Sequence, residues 1–377
     1  MSAQKISEHI GSIPTKMISY RKGIVKAIVR DLGDLIELDV QIGNEIRRAI
    51  AYPKLTGEIT EGNAVLVNIT AKELGLGSGG VDFVMANLDG SQRNYSPGGH
   101  IMKMCYTPLQ GKVLSVEEEV SPYRKKLEKF QSLEGAPVVA GTLHSMVAPV
   151  CAVVKMLSGE TARVVYVMTD GACLPLAYSK TVRELKEKKL IDGTITYGHA
   201  FGGDLEAVNK FTGLIAARAA LEADVIVVAM GMGSIGTDTP YGYSGIEQGE
   251  ILNAAKLLKG TPVACLRMSF ADQRERHYGV SHHTLTALRE IANPGMVIPV
   301  PQLDGKKKVL VDKQLEESGL RRRHFIEEID SRMVFDAMKK YDLNTTTMGR
   351  GVESDPEFFL ACGAAGIAAA ERVISDQ

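Results

Sequence analysis

The sequence predicts an α/β protein. A small N-terminal antiparallel β-barrel-like domain is followed by a doubly wound, mostly parallel, Rossmann-like sheet with helices on both faces. Three observations carry this expectation. The 377 residues are too many for one compact core and fit two domains. Up to about residue 119 the chain offers short strands rich in β-branched residues, separated by turn signals. Beyond that point continuous apolar strands alternate with helices, which marks a parallel sheet covered on both faces.

The front strands are expected at 24–29, 35–40, 64–69 and 81–85. Asp31-Leu32-Gly33-Asp34, Ile42-Gly43-Asn44 and Glu61-Gly62-Asn63 supply turns between them. Five or six such strands, spaced about 10–15 residues apart, make a small barrel or sandwich. The glycine run at 74–80 is most simply turn chemistry. Residues 116–134 are charged without a strong apolar face and read as a connector with a short exposed helix. Strands then lead to helices in turn: 138–140 to 146–157, 164–168 to 182–189, 194–197 to 205–221, 225–229 to 251–258, and 263–266 to 283–291. A sixth strand is expected at 296–298 and two further helices at 323–341 and 358–374. The expected domains are 17–119 (barrel-like), 120–136 (connector), 137–305 (α/β) and 306–377 (a helical extension packing on the α/β domain).

With 44 basic against 45 acidic side chains the net charge is −1, so no global field draws the protein to nucleic acid or an anionic membrane. The five cysteines are odd in number, far apart and never in a C-x-x-C pair. That argues against a disulfide framework or a cysteine zinc site and for a reducing compartment. The first twenty residues hold Lys5, Glu8, His9 and Lys16 and no continuous apolar run, unlike a signal peptide. The longest apolar stretches fall short of the roughly 20 residues that span a bilayer. A cytoplasmic protein is expected. Arg321-Arg322-Arg323-His324 reads as a solvated helix start or a homo-oligomer contact.

In an open parallel sheet, ligands bind beyond the carboxyl ends of the strands, where strand order reverses. The residues after each expected strand are therefore the candidates. The first strand runs into Gly141-Thr142-Leu143-His144-Ser145, the second into Thr169-Asp170-Gly171, and the third into Gly198-His199. The fourth opens the long glycine- and hydroxyl-rich loop 231–245, and the fifth gives Arg267-Met268-Ser269. Gly231-Met232-Gly233-Ser234-Ile235-Gly236 matches G-x-G-x-x-G, whose glycines let backbone N–H groups approach an anion. The dinucleotide version opens a helix directly in the first βα unit; here Pro240 and several small residues intervene, and no P-loop lysine is present. A pocket wall for an anionic or sugar-like ligand is the better reading.

Candidate ligand-binding residues are Ser145, Gly233, Ser234, Gly236, Thr237, Asp238, Thr239, Ser244 and Arg267, with Arg267 as counter-charge. His144 and His199 are candidates for proton transfer or polarisation, and Asp170 for orienting one of them. His144, Asp170, His199, Ser234 and Arg267 are expected around one cavity. His277, His282 and His283 follow the fifth strand, but His282 and His283 point about 100° apart on a helix start and do not chelate as an i, i+4 pair would. No resident metal is expected. G-x-S-x-G is absent, and Cys173 reads as a small buried hydrophobe.

The expected function is binding, with turnover left open, of a small polar or phosphorylated metabolite or nucleotide; no cofactor is identified. Two rivals stand beside it. One is a non-catalytic regulatory or assembly protein using the β domain as a contact module. The other is a metal-dependent hydrolase built on His144, His199 and Asp170.

Several segments carry a resemblance. Val67-Asn68-Ile69-Thr70-Ala71, Gly80-Val81-Asp82-Phe83-Val84, Gly99-His100-Ile101-Met102-Lys103, Tyr106-Thr107-Pro108-Leu109-Gln110, Thr142-Leu143-His144-Ser145 and Gly245-Ile246-Glu247-Gln248-Gly249 resemble the uncharacterised bacterial domain-of-unknown-function family 3866. The resemblance covers about Lys22 to Gln302. It implies a cytoplasmic bacterial protein in which front and back regions travel together, and it assigns no activity.

Overall fold

The computed structural model describes residues 17–77 and 79–374. The chain divides after Ser96 into two compact units.

In the first unit, β1 (Tyr20–Asp31), β2 (Ile36–Ile42), β3 (Glu45–Ala51), β4 (Ala64–Asn68) and β5 (Asp82–Asn87) close a barrel in the order β1-β2-β3-β5-β4. Four pairings are antiparallel and the β3·β5 closure is parallel. Alternation drives the closure: Ile36, Leu38 and Val40 of β2 are buried while Glu37 and Asp39 are less so. They meet Val25, Ala49, Val65, Val67 and Val84 in one core. β3 escaped the sequence reading because Glu45, Arg47 and Arg48 interrupt its apolar residues. Arg47 earns its place there, since its guanidinium grips the buried Asp82 carboxylate through two hydrogen bonds of 2.7 and 3.0 Å and ties β3 to β5.

The β unit ends at Ser96, not near 119. The hairpin of β6 (Ile101–Lys103) and β7 (Gly111–Val113) belongs to the second unit. The reason is Lys103, whose buried ammonium lies 3.2 Å from Glu206 and donates to the Ala207 carbonyl at 3.3 Å.

The second unit is built on an eight-stranded, all-parallel sheet. Its strands are β8 (Pro137–Ala140), β9 (Val164–Thr169), β10 (Gly193–Tyr197), β11 (Leu205–Ala207), β12 (Val225–Met230), β13 (Thr261–Ala264), β16 (Val297–Pro301) and β17 (Phe325–Ile329). Their spatial order is β11-β10-β9-β12-β8-β13-β16-β17. Between β13 and β16 the chain forms a small antiparallel pair, β14 (Met268–Ser269) with β15 (Gly279–Val280). The inner strands are largely apolar because both faces are covered. Val139, Tyr166, Met168 and Val227 pack under the helices Val147–Leu157 and Pro356–Ile374, while Val138, Val167, Ile226 and Val228 pack under Lys210–Ala219 and Glu247–Leu257.

β11 and β17 correct the expected helices over 205–221 and 323–341. The helices begin later, at Lys210 and Met333, and each is preceded by a short edge strand. Edge strands carry charge and need no continuous apolar run; Leu205-Glu206-Ala207 and Phe325-Ile326-Glu327-Glu328-Ile329 fit that description. The C-terminal region is likewise no appended layer. β17 extends the sheet, and Phe358, Phe359 and Cys362 of the last helix share a core with β8 and β9. Small residues let this helix approach Val147–Leu157 closely: a Cβ on Gly366 would sit 2.9 Å from Val153 Cβ and 3.0 Å from the Val150 carbonyl. Gly366→Ala is expected to destabilise the protein by about 1–2 kcal/mol in urea unfolding, overpacking outweighing alanine's better helix propensity.

From β8 the chain runs to β9 on one side, and from β12 it crosses to β13 on the other. The order therefore reverses between the neighbouring strands β8 and β12, and a crevice opens beyond their carboxyl ends. Among the described residues no helix is long and apolar enough to cross a membrane.

Candidate functional site

A cavity of about 150 Å³ lies at this reversal point. Thr142 and Leu143 reach it from the end of β8, Ser234, Ile235, Gly236 and Gly245 from the loop after β12, and Arg267 from the end of β13. The segment after β14 adds Arg274, Arg276, His277 and His283. Met348, from the loop before the last helix, completes the wall.

The loop 231–245 is folded on itself. Gly231 is required because a Cβ there would fall 2.5 Å from the Cys173 carbonyl oxygen, and Cys173 N–H donates to the Met232 carbonyl at 3.0 Å. Gly233 then turns with a φ of 88°, and Ser234 to Gly236 line the cavity. Gly236 pairs with Tyr243 in an antiparallel bridge. No helix opens directly from the glycines, so the dinucleotide fingerprint is not formed. Thr237, Asp238 and Thr239 form the loop's tip and do not line the cavity. The Thr237 N–H and hydroxyl both donate to the Gly242 carbonyl at 2.8 Å, and the Thr237 and Thr239 hydroxyls pair at 2.8 Å. Asp238 pairs with Arg276. Ser244 accepts a hydrogen bond from Ile235 N–H at 3.0 Å and holds the loop's two arms together. Of the predicted loop residues, Ser234 and Gly236 are wall and the others are scaffold.

The cavity's electrostatics rest on its arginines. Arg274 forks onto the buried Asp272 carboxylate at 2.9 and 2.8 Å, which holds that carboxyl well below the usual range. Arg267 is different. It is only 8% exposed, yet its guanidinium makes no hydrogen bond among the described residues, and its nearest carboxylate, Asp272, is 3.9 Å away. Burial first, and then the charge of Arg274, pull it down to about 10.

Three imidazoles stand beside Arg267. Ring centroids of His282 and His283 are 4.3 Å apart, and His277 lies 5.2 and 4.8 Å from them. The spacing argument that separates two adjacent histidines on a helix missed this, because the third ring comes from the turn Glu275–His277 and folds back over the helix start. His283 stacks face to face on Tyr243 at 3.9 Å, and the Tyr243 hydroxyl donates to the His283 carbonyl at 2.7 Å.

The predicted single cavity divides into three places. Ser234 and Arg267 share the cavity just described. His144 is buried in the turn His144–Met146, with Nε2 2.7 Å from the Ser179 hydroxyl and Nδ1 3.2 Å from the Tyr166 hydroxyl. Burial pushes it down to about 4 despite the Met230 carbonyl. It is a neutral, satisfied core group. Ser145 lies in the same turn, outside the cavity wall. Asp170 and His199 lie together at the neighbouring strand ends of β9 and β10. There Asp170 accepts from the His199 N–H at 2.9 Å, and the His199 Nδ1 accepts from the Met104 N–H at 3.1 Å. Neither lines the cavity.

Glu247, unremarked in the sequence reading, sits at this third place, beside Asp170. Its Oε1 accepts from the Thr169 hydroxyl at 2.7 Å. Burial above all, with the nearby Asp170 charge, raises its carboxyl to about 7. The signal lay in Gly245-Ile246-Glu247, an acid at a helix start directly after a glycine-rich loop. Arg274, Arg276 and Met348 were also missed. The first two stand in the charged run Asp272-Gln273-Arg274-Glu275-Arg276, which overall neutrality concealed.

A doubly wound parallel sheet with a lined cavity at its reversal point places the second unit among the Rossmann-like α/β folds. The chain belongs to the family described as protein of unknown function (DUF3866), whose model matches residues 48–366, from within β3 to the last helix. No curated protein matches the sequence.

Proposed function

We propose that the cavity binds the anionic head, phosphoryl or carboxylate, of a small polar metabolite. The observation that carries this reading is Arg267: a largely buried guanidinium that lines the cavity, makes no hydrogen bond among the described residues and has its nearest carboxylate, Asp272, only at 3.9 Å. A bound oxyanion would give this enclosed cation the charge-assisted hydrogen bonds that the protein does not supply. A cavity near 150 Å³ is of the size that takes one benzene. It would hold one head group and leave the rest of a nucleotide outside.

Thermal unfolding of the full chain in chelator-containing buffer, against inorganic phosphate, sugar phosphates and short mono- and dicarboxylates, tests this. A ligand at about 100 times its Kd adds roughly 2.7 kcal/mol and raises the melting temperature. Absence of a shift across that panel would favour the regulatory or assembly reading.

Turnover has one observation in its favour. A carboxyl raised to about 7 at the strand ends suits general acid–base work at neutral pH. Glu247, beside Thr169 and Asp170 and outside the cavity wall, replaces His144 as the candidate.

A further inference from the structure

We infer that His277, His282 and His283 form a site for one divalent transition-metal ion of the zinc class, with a coordination position open to the cavity. One nitrogen from each imidazole lies within 4.8 Å of the others. Zinc holds imidazole nitrogens at about 2.0–2.1 Å, so a modest inward shift of the rings completes the set.

The independent observation is hydrogen-bond accounting. The Nε2 atoms of His282 and His283 are buried and have no partner among the described residues. Native proteins leave few such atoms, and an unrecorded ion is one standard reason for them. Here two fall in the same cluster. The third ring is already oriented, because Nδ1 of His277 lies 2.7 Å from the Ser281 hydroxyl. Such an outer partner fixes a ligating imidazole and leaves its other nitrogen for the metal. That nitrogen now accepts only a long contact, 3.4 Å, from the Arg276 side chain, which is part-exposed and paired elsewhere with Asp238.

The electrostatics work in two directions. Burial lowers all three imidazoles below their usual range, and Arg267 adds to the shift in each. Metal binding requires the neutral form of each ring, whose lone pair is the ligand. The same arginines repel a dication, and Asp272 and Asp238 offset part of that repulsion. An all-imidazole set suits zinc and its neighbours, whereas Mg²⁺ and Ca²⁺ require oxygen ligands. Three protein ligands with a fourth position left to solvent are the pattern of a reactive zinc centre. His277 and His283 line the cavity, so that position faces it.

The test uses the full chain stripped with a chelator. Calorimetric titration with Zn²⁺ alone should give one ion per chain, and Co²⁺ should develop the visible absorption of a tetrahedral complex. His282→Gln, at a part-exposed position, should weaken Zn²⁺ by at least the roughly 10–100-fold that loss of an outer partner costs. His283→Ala should do the same, with circular dichroism confirming that both variants fold. No Zn²⁺ binding, or binding equally tight in both variants, overturns the site. The anion reading is measured in chelator, so either proposal can fail while the other stands.

Discussion

An Arg267→Met chain is expected to unfold at a higher temperature than the parent and to bind its anion at least about 100-fold more weakly. The two effects share one cause. Arg267 is buried beside Arg274, Arg276 and Arg350, and Asp272 opposes their charge on it. Replacing buried ionic groups by apolar side chains of similar volume is often neutral or stabilising by about 1–4 kcal/mol, provided that no partner charge is left stranded. Asp272 is not stranded by the change, because Arg274 still forks onto it and Arg350 stays within 3.8 Å. In the complex, two charge-assisted hydrogen bonds at about 1.5–3 kcal/mol each would be lost, which corresponds to about 100-fold or more in Kd. Urea unfolding and ligand titration of the same variant check both halves. A less stable variant with unchanged affinity would make Arg267 a structural residue.

Glu247→Gln is expected to stabilise the protein by up to ~3 kcal/mol at pH 8 and hardly at all at pH 4. The folded carboxyl sits at about 7 against an ordinary value of 4.5. Below the ordinary value the group is protonated in both states and contributes nothing to the difference. As pH rises from about 4.5 to 7 the unfolded chain releases its proton first, so stability falls. Above 7 the full penalty is reached, at ~1.4 kcal/mol per pKa unit. Glutamine stays neutral throughout, and its carbonyl can still accept from the Thr169 hydroxyl. Unfolding curves at the two pH values measure the difference; a gain independent of pH would show that burial does not control this carboxyl.

The sequence reading found the architecture where pattern and physics coincide. Val225-Ile226-Val227-Val228-Ala229 is apolar because both faces of a central parallel strand are covered, and it forms β12. β3, β11 and β17 escaped because edge positions and ion pairs permit charge within a strand. At the site, the strand-end rule located Ser234, Gly236 and Arg267 without any structural information. It treated every loop after a strand as equal, however. The order of strands decides which loops converge, and no local pattern encodes that β12 inserts between β8 and β9. His144 follows β8 and still turns into the core, because a 3₁₀ turn directs its ring toward Tyr166 and Ser179. The histidine triad was visible as residue types and hidden as geometry.

The most direct test of the anion site is a crystal structure of the chain with the panel's most stabilising anion. The account predicts one anion at the reversal point, its oxygen atoms hydrogen-bonded to the Arg267 guanidinium and lying against the backbone of Ser234 to Gly236. An ordered anion at the Asp170 and His199 edge, with the Arg267 guanidinium still making no hydrogen bond, would contradict it.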